Sequence, residues 1–238
     1  MAKKALTVRR RGTWQTGAVL THLNLVLARG ANDTAGVSDL ADFIARQNIA
    51  LPGIFGPTSA AQTFMYRWVG HTRQAEHSIK DMTIYSLGVL TVPKVPDGHF
   101  RMANDGDAKT LAAWYQSFAD EALPPAEKKT TEESLNIVKE NITKGSIAVW
   151  DNGHGPVSAA QAKGPWHKMM RIGFVYTPSE ERGKGYAAAT VAHLSHDLQD
   201  RGIEVCLYAD DDNAASTHIY KKLGFTACAK ARHYSLQT

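Results

Sequence analysis

The chain has 238 residues, 43% of them hydrophobic and 21% charged, with 27 basic against 23 acidic side chains and a formal net charge of +4. That is enough apolar material for a packed core, and too small a charge imbalance for a disordered chain or a dedicated nucleic-acid binder. No run of about 18 apolar residues is present to span a bilayer, and the basic start MAKKALTVRRRGTWQ has no apolar segment that would make it a secretory signal. Two cysteines, Cys206 and Cys228, exclude a disulfide framework and a four-cysteine zinc site, which predicts a protein of the reducing cytoplasm.

In chain order, Arg9, Arg10 and Arg11 read as a solvated strand end. Residues 18–28 alternate, with Val19, Leu23, Leu25 and Leu27 on one face, and predict a strand. Leu40, Phe43 and Ile44 form the apolar stripe of a helix over 37–47, with Ser38 as its cap. Gly53-Ile54-Phe55-Gly56-Pro57 reads as a turn ahead of a second helix over 59–69, and a strand follows over 82–87. This front part shows no convergent cluster of titratable residues. Residues 92–98 contain Pro93, Pro96 and Gly98, through which no regular element continues, so a domain boundary is predicted there, giving 1–94 and 95–238.

Beyond it, residues 99–103 predict a strand. Asn104 or Asp105 then caps a helix with the inner stripe Leu111, Trp114, Tyr115 and Phe118. After a loop with Pro124 and Pro125, Thr130 and Glu133 form a capping box for a helix striped by Leu135, Val138 and Ile142 and ended by Gly145. Strands over 146–150 and 157–162 are joined by the hairpin signal Asn152-Gly153. Strands over 170–176 and 204–209 flank a long helix. Asn32 and Asn141 begin glycosylation sequons that carry no weight without a secretory signal. The element order predicts an α+β (mixed α/β) fold.

The chemistry concentrates in 171–225. A strand ends at Pro178, a polar loop carries Arg182, Gly183, Lys184 and Gly185, and a helix with Ala187, Val191, Leu194 and Leu198 on its inner stripe begins at once. The first-turn amides of a helix have no internal acceptor, and the helix dipole puts positive potential there. A pyrophosphate can accept several of those hydrogen bonds, and glycines let the backbone approach it closely. The spacing is neither G-x-x-x-x-G-K-[ST] nor G-x-G-x-x-G, so it is not one of the usual nucleotide loops. His193 and His196 are expected to face solvent on that helix, and Cys206 and Cys228 to serve packing.

Arg182-Gly183-Lys184-Gly185-Tyr186-Ala187 resembles the [QR]-x-x-G-x-[GA] loop of the GNAT superfamily of acetyl-CoA-dependent N-acetyltransferases. Asn213, Ser216, Tyr220, Gly224 and Phe225 resemble the same superfamily's N-x-x-[AS]-x-x-x-Y-x-x-x-G-F helix, in the right order behind the loop. The front part carries neither motif and is similar to the non-catalytic half of tandem GNAT proteins. The resemblance implies a central, mostly antiparallel sheet flanked by helices over 95–238, preceded by a degenerate, partial GNAT-like domain over 1–94, with one active site per chain.

It also implies the following roles. Backbone amides of Arg182, Gly183, Lys184, Gly185, Tyr186 and Ala187 would hold the pyrophosphate of acetyl-CoA. Phe174, Val175 and Tyr176 would pair with its arm and polarise the thioester carbonyl. Asn213, with Ser216 on the same helix, would contact the arm, and Tyr220 would protonate the departing thiolate. No metal is required. The acceptor would be the primary amine of a small molecule or peptide, with no nucleic acid or membrane as partner and a homodimer left open. Many GNAT enzymes place a glutamate on the strand before the loop, but residues 169–176 contain no carboxylate. Asp120, Glu121, Asp210, Asp211, Asp212 or a water relay remain for the base. The alternatives are a non-catalytic acyl-CoA-binding sensor or interaction module, and transfer of a different acyl group.

Overall fold

The computed structural model describes residues 4–10, 13–21, 24–28, 34–122 and 128–236. Arg11, Leu23, Asn32, Pro124 and Pro125, named above, lie outside the described residues. The chain divides into two compact units, one of residues 1–83, 210–212 and 229–238, the other of residues 84–209 and 213–228. This partition differs from the expected one at 94/95 in three places: the second unit begins earlier, and the first takes in residues 210–212 and 229–238.

In the first unit β1 (Lys4–Arg10), β2 (Thr13–Leu20) and β3 (Leu25–Leu27) pair antiparallel in sequence. Helix α1 (Thr34–Arg46) then crosses over to β4 (Gly53–Pro57), which pairs parallel to β3. Helix α2 (Thr58–Thr72) follows, then β5 (Glu76–Leu87). The core joins Leu25, Leu27 and Ile54 of the strands to Val37, Leu40 and Ile44 of α1 and Phe64 and Trp68 of α2. Ser38 lies inside α1, its hydroxyl donating to the Thr34 carbonyl, and is not the cap. The predicted turn at 53–57 is a strand. Its glycines answer crowding: a Cβ at Gly56 would press on Leu27, and one at Gly53 on Asn24 and the Tyr234 carbonyl. The front part also holds a titratable cluster that the sequence did not reveal. The Asp42 carboxylate of α1 accepts from Arg67 Nε at 2.6 Å and bonds His71 Nε2 at 2.8 Å, both on α2.

The second unit contains β6 (His99–Met102), a 3-10 turn at Asp105–Asp107 capped by Asn104, and α3 (Ala108–Ala122). Then come α4 (Thr131–Thr143), β7 (Ile147–Asp151), β8 (Pro156–Trp166), β9 (Met169–Tyr176), α5 (Tyr186–Asp200), β10 (Glu204–Asp210), α6 (Ala214–Lys222) and β11 (Phe225–Leu236). Strands β6 to β9 run antiparallel to their neighbours, and β9 and β10 are parallel across the α5 crossover. The α+β plan is the one observed. Val191, Leu194 and Leu198 of α5 pack with Ile172, Val205 and Leu207 on one face of the β9–β10 pair. Leu111 of α3 and Val138 of α4 pack with Val149, Phe174 and Tyr176 of β7 and β9.

The units repeat one connectivity, β1-β2-β3-α1-β4-α2-β5 in the first and β7-β8-β9-α5-β10-α6-β11 in the second. Three strands are divided between them: residues 84–87 of β5 belong to the second unit, while Asp210 of β10 and residues 229–236 of β11 belong to the first, where the latter pair antiparallel with β4. Residues 88–98 form no regular element, as their prolines require, yet they are fastened within the second unit. The Thr91 amide donates to the Leu223 carbonyl at 3.0 Å, Gln199 Nε2 to the Gly88 carbonyl at 2.9 Å, and Trp150 Nε1 to the Asp97 carbonyl at 3.0 Å. Gly224, at φ +94°, accepts this close approach, since a methyl there would collide with the Val89 carbonyl.

Candidate active site

Helix α5 begins on Gly185, which sits at φ +88° and contributes no side-chain cap; Gly183 is also left-handed, at φ +80°. A Cβ at either position would meet nothing within 4 Å, so conformation, not crowding within the chain, calls for glycine. The first-turn amides of α5 therefore point outward with no side chain of the N-cap residue to satisfy them. They open on a cleft of about 480 Å³ lined by Gly183, Lys184, Gly185 and Tyr186 on one side and by residues 94–97 on the other. Lys184 is drawn to Glu181 at 2.8 Å, which raises its pKa. Arg182 turns away from the cleft. Its Nε donates to the Thr177 carbonyl at 2.9 Å, its outer nitrogen grips Glu121 at 2.9 Å, and its guanidinium lies 5.8 Å from the centre of the Tyr176 ring. Lys94 lines the cleft with no acidic partner among the described residues.

Strand β9 leads into this loop and carries a bulge. Gly173 pairs with Gln161 and Tyr176 with Ala159, so two residues of β9, Phe174 and Val175, stand against Ala160 alone. Phe174 takes the left-handed conformation at φ +47°, a position an aromatic residue keeps only when its surroundings hold it. Here Tyr115 and Phe118 of α3 hold its ring edge-on at 5.2 and 5.6 Å, and Trp114 lies 6.0 Å from the Tyr176 ring. The predicted core stripe of α3 thus props the bulge.

The β9–β10 ladder runs from Met169–Glu204 to Ile172–Leu207 and goes no further, although both strands continue. Past that last pair the two parallel strands part, and the β10-facing backbone of residues 173–176 has no partner on β10. An exposed strand edge of this kind accepts an extended ligand as an added strand.

Helix α6 supplies the second group. Asn213 is its N-cap, with Oδ1 accepting from the Ser216 amide at 3.0 Å, so that oxygen is committed to the helix start. The Ser216 side chain lies near the Tyr220 hydroxyl. Tyr220 is buried against the β9–β10 core, and burial pushes its hydroxyl up to about 12, with the Ser216 side chain acting the other way. It keeps its proton throughout the physiological range.

Four of the five acids expected as candidate bases are held in ion pairs: Asp120 with Lys128 at 2.6 Å, Glu121 with Arg182, Asp210 with Lys80 at 3.5 Å, and Asp211 with Lys230 at 2.6 Å. Of Asp212, the backbone amide donates to the Asp210 carboxylate. His193 does not face solvent as expected. It lies between Phe100, stacked on it at 5.5 Å, and Trp150, tilted against it at 5.4 Å, with Nε2 buried and without a partner, and burial pulls its pKa down. His196 is exposed. Cys206 is buried in β10, whereas Cys228 is exposed and so does not serve the core. Among the described residues no cluster of three His, Cys, Asp or Glu is placed to hold a metal, and no helix is long and apolar enough to cross a membrane.

Comparison with known proteins agrees with this geometry. The family described as FR47-like protein matches residues 163–234. A mycothiol acetyltransferase of Thermobispora bispora is 42% identical over 69 residues, which is 28% of this chain and 23% of that protein; the chain thus matches about a quarter of its curated relative. Among solved structures, a GNAT-family acetyltransferase from Colwellia psychrerythraea superposes with a TM-score of 0.62 at 11% identity, over 98% of this chain and 85% of the other. A tandem GNAT protein from the clavulanic acid biosynthesis pathway gives 0.54 at 13% identity, over 98% and 82%. Residues 163–234 accordingly match the FR47-like family, and the chain shares the fold of these solved acetyltransferase structures.

Proposed function

We propose that this chain transfers the acetyl group of acetyl-CoA directly to a primary amine. The observation that carries this reading is the uncapped start of α5 on a left-handed glycine, opening on a cleft beside the point where β9 and β10 part. The α5 amides would hold the pyrophosphate, and Lys94 and Lys184 would add charge at the cleft. The free edge of residues 173–176 would pair with the pantetheine arm, bringing the thioester to the bulge, where a backbone amide faces the oxyanion that forms. The neutral amine attacks the carbonyl; the C–N bond forms and the C–S bond breaks. Nitrogen releases one proton to solvent, and the thiolate takes one from the Tyr220 hydroxyl, which regains it from solvent. Asn213 would reach the arm through its amide nitrogen, its oxygen being used by the helix, while Ser216 would act by orienting Tyr220. Residues 1–94 would carry no second active site. Free Cys206 and Cys228 suit a cytoplasmic setting.

Calorimetry with acetyl-CoA and thiol release over a broad amine panel, read by mass spectrometry, test the reading. Saturable binding together with acetylated product supports it, and absence of binding overturns it. Because four of the five sequence-predicted acids are held in ion pairs, an acyl-CoA sensor is the competing assignment; binding with no transfer to any amine would establish that instead.

A further inference from the structure

We propose that the acceptor carries a carboxylate beside its amine and that Arg171 receives it. This rests on the transferase reading above and names its substrate class. Arg171 pairs with Cys206 one step before the β9–β10 ladder ends, and Tyr208 is the first β10 residue past that end. Strand alternation puts Arg171, Cys206 and Tyr208 on one face, opposite the face where Ile172, Val205 and Leu207 pack under α5. The phosphate cleft belongs to the start of α5. An acceptor lying on the Arg171 face would therefore meet a thioester lying in the same gap from the other side.

The state of Arg171 points to an anionic ligand. Its guanidinium lies 4.8 Å from the centre of the Tyr208 ring, which fixes its plane. Its Nε is shut away from water without an acceptor. Arg101 and Arg182 of the same unit each hold carboxylates, whereas among the described residues no acid pairs with Arg171. A flat, pre-oriented fork whose outer nitrogens meet no acid fits a carboxylate in bidentate geometry. Ring stacking replaces the flexibility that a lysine would bring. The acceptors this selects are amino acids and short peptides with a free carboxylate near the amine.

The test uses the full chain and matched acceptors: the common L-amino acids and glycyl dipeptides, each beside its C-terminal amide. Acetyl-CoA binding is measured first by calorimetry; if none is found, the transferase reading itself fails. With binding in hand, the expected result is a preference for the carboxylate member of at least about tenfold in kcat/KM. Arg171→Gln should remove that preference by raising KM for the carboxylate members far more than for the amides, and Arg171→Lys should restore part of it. Equal turnover of acids and amides, turnover of uncharged amines only, no acetylation of any carboxylate-bearing amine, or an intact preference in Arg171→Gln would each overturn the proposal. The acid-to-amide comparison on the unaltered protein decides the matter even if the variants fail to fold.

Discussion

Tyr220 retains its proton because ionising it would place a charge inside the packed face of the second unit, and this has a measurable consequence. Its folded pKa of about 12 lies above the ordinary tyrosine value of about 10. Below pH ~10 both folded and unfolded chains hold the proton and the contribution to stability is complete; as pH rises from ~10 towards 12 the unfolded chain ionises first and stability is lost. The melting temperature should therefore fall across that window, and Tyr220→Phe should flatten the fall. The same variant should lower kcat by at least ~10²-fold, with acetyl-CoA affinity nearly unchanged; full turnover would remove Tyr220 from the acid role. Tyr220 was singled out by its place in the motif of Asn213, Ser216, Tyr220, Gly224 and Phe225, whose residues lie close together in sequence. His193 was misplaced for an equally physical reason. The stripe Ala187, Val191, Leu194, Leu198 suggested one buried face, but α5 also buries Thr190, Ala192 and Ser195, and this wide arc takes in the histidine.

At the scale of elements, sequence reading succeeded where a structure is made by neighbours. The Thr130–Glu133 box forms in both directions, with the Thr130 amide donating to the Glu133 carboxylate at 2.8 Å and the Glu133 amide to the Thr130 hydroxyl at 3.2 Å. It failed where the cause is distant. The bulge at Phe174 depends on aromatic side chains of α3 more than fifty residues away in the chain. Strand β4 depends on β3 and β11 and hides behind glycines and a proline. The start of α5 offers a clean experiment. At φ +88° an alanine in place of Gly185 costs roughly 1–2 kcal/mol of stability through backbone strain alone, since its methyl meets nothing in the protein. If phosphate sits against these amides, Gly185→Ala should weaken acetyl-CoA binding by more than this strain explains. Denaturant unfolding and calorimetry on the same sample separate the two; equal losses would place the phosphate elsewhere.

For the whole molecule, the repeated connectivity escaped sequence reading because two copies can share a topology without sharing a sequence period. Pro93, Pro96 and Gly98 stop regular structure whether a linker is free or fastened, and here it is fastened. Cutting at 94/95 would strip residues 84–87 from the second unit and leave residues 229–236 without β4. A fragment of residues 95–238 should accordingly lose the cooperative thermal transition of the full chain, as followed by circular dichroism.

The strand divided between β4 and its own unit also dictates an order of events during synthesis. About 170 residues lie between Pro57 and its partner Ala231, so a ribosome working at roughly 5–20 residues per second leaves the edge of β4 bare for some 10–30 seconds. The second unit's residues emerge in that interval, before the first can close. An amino-terminal half that cannot finish until late residues arrive is a natural client for chaperones, and an interruption of translation after residue 228 would strand it with an open, aggregation-prone edge.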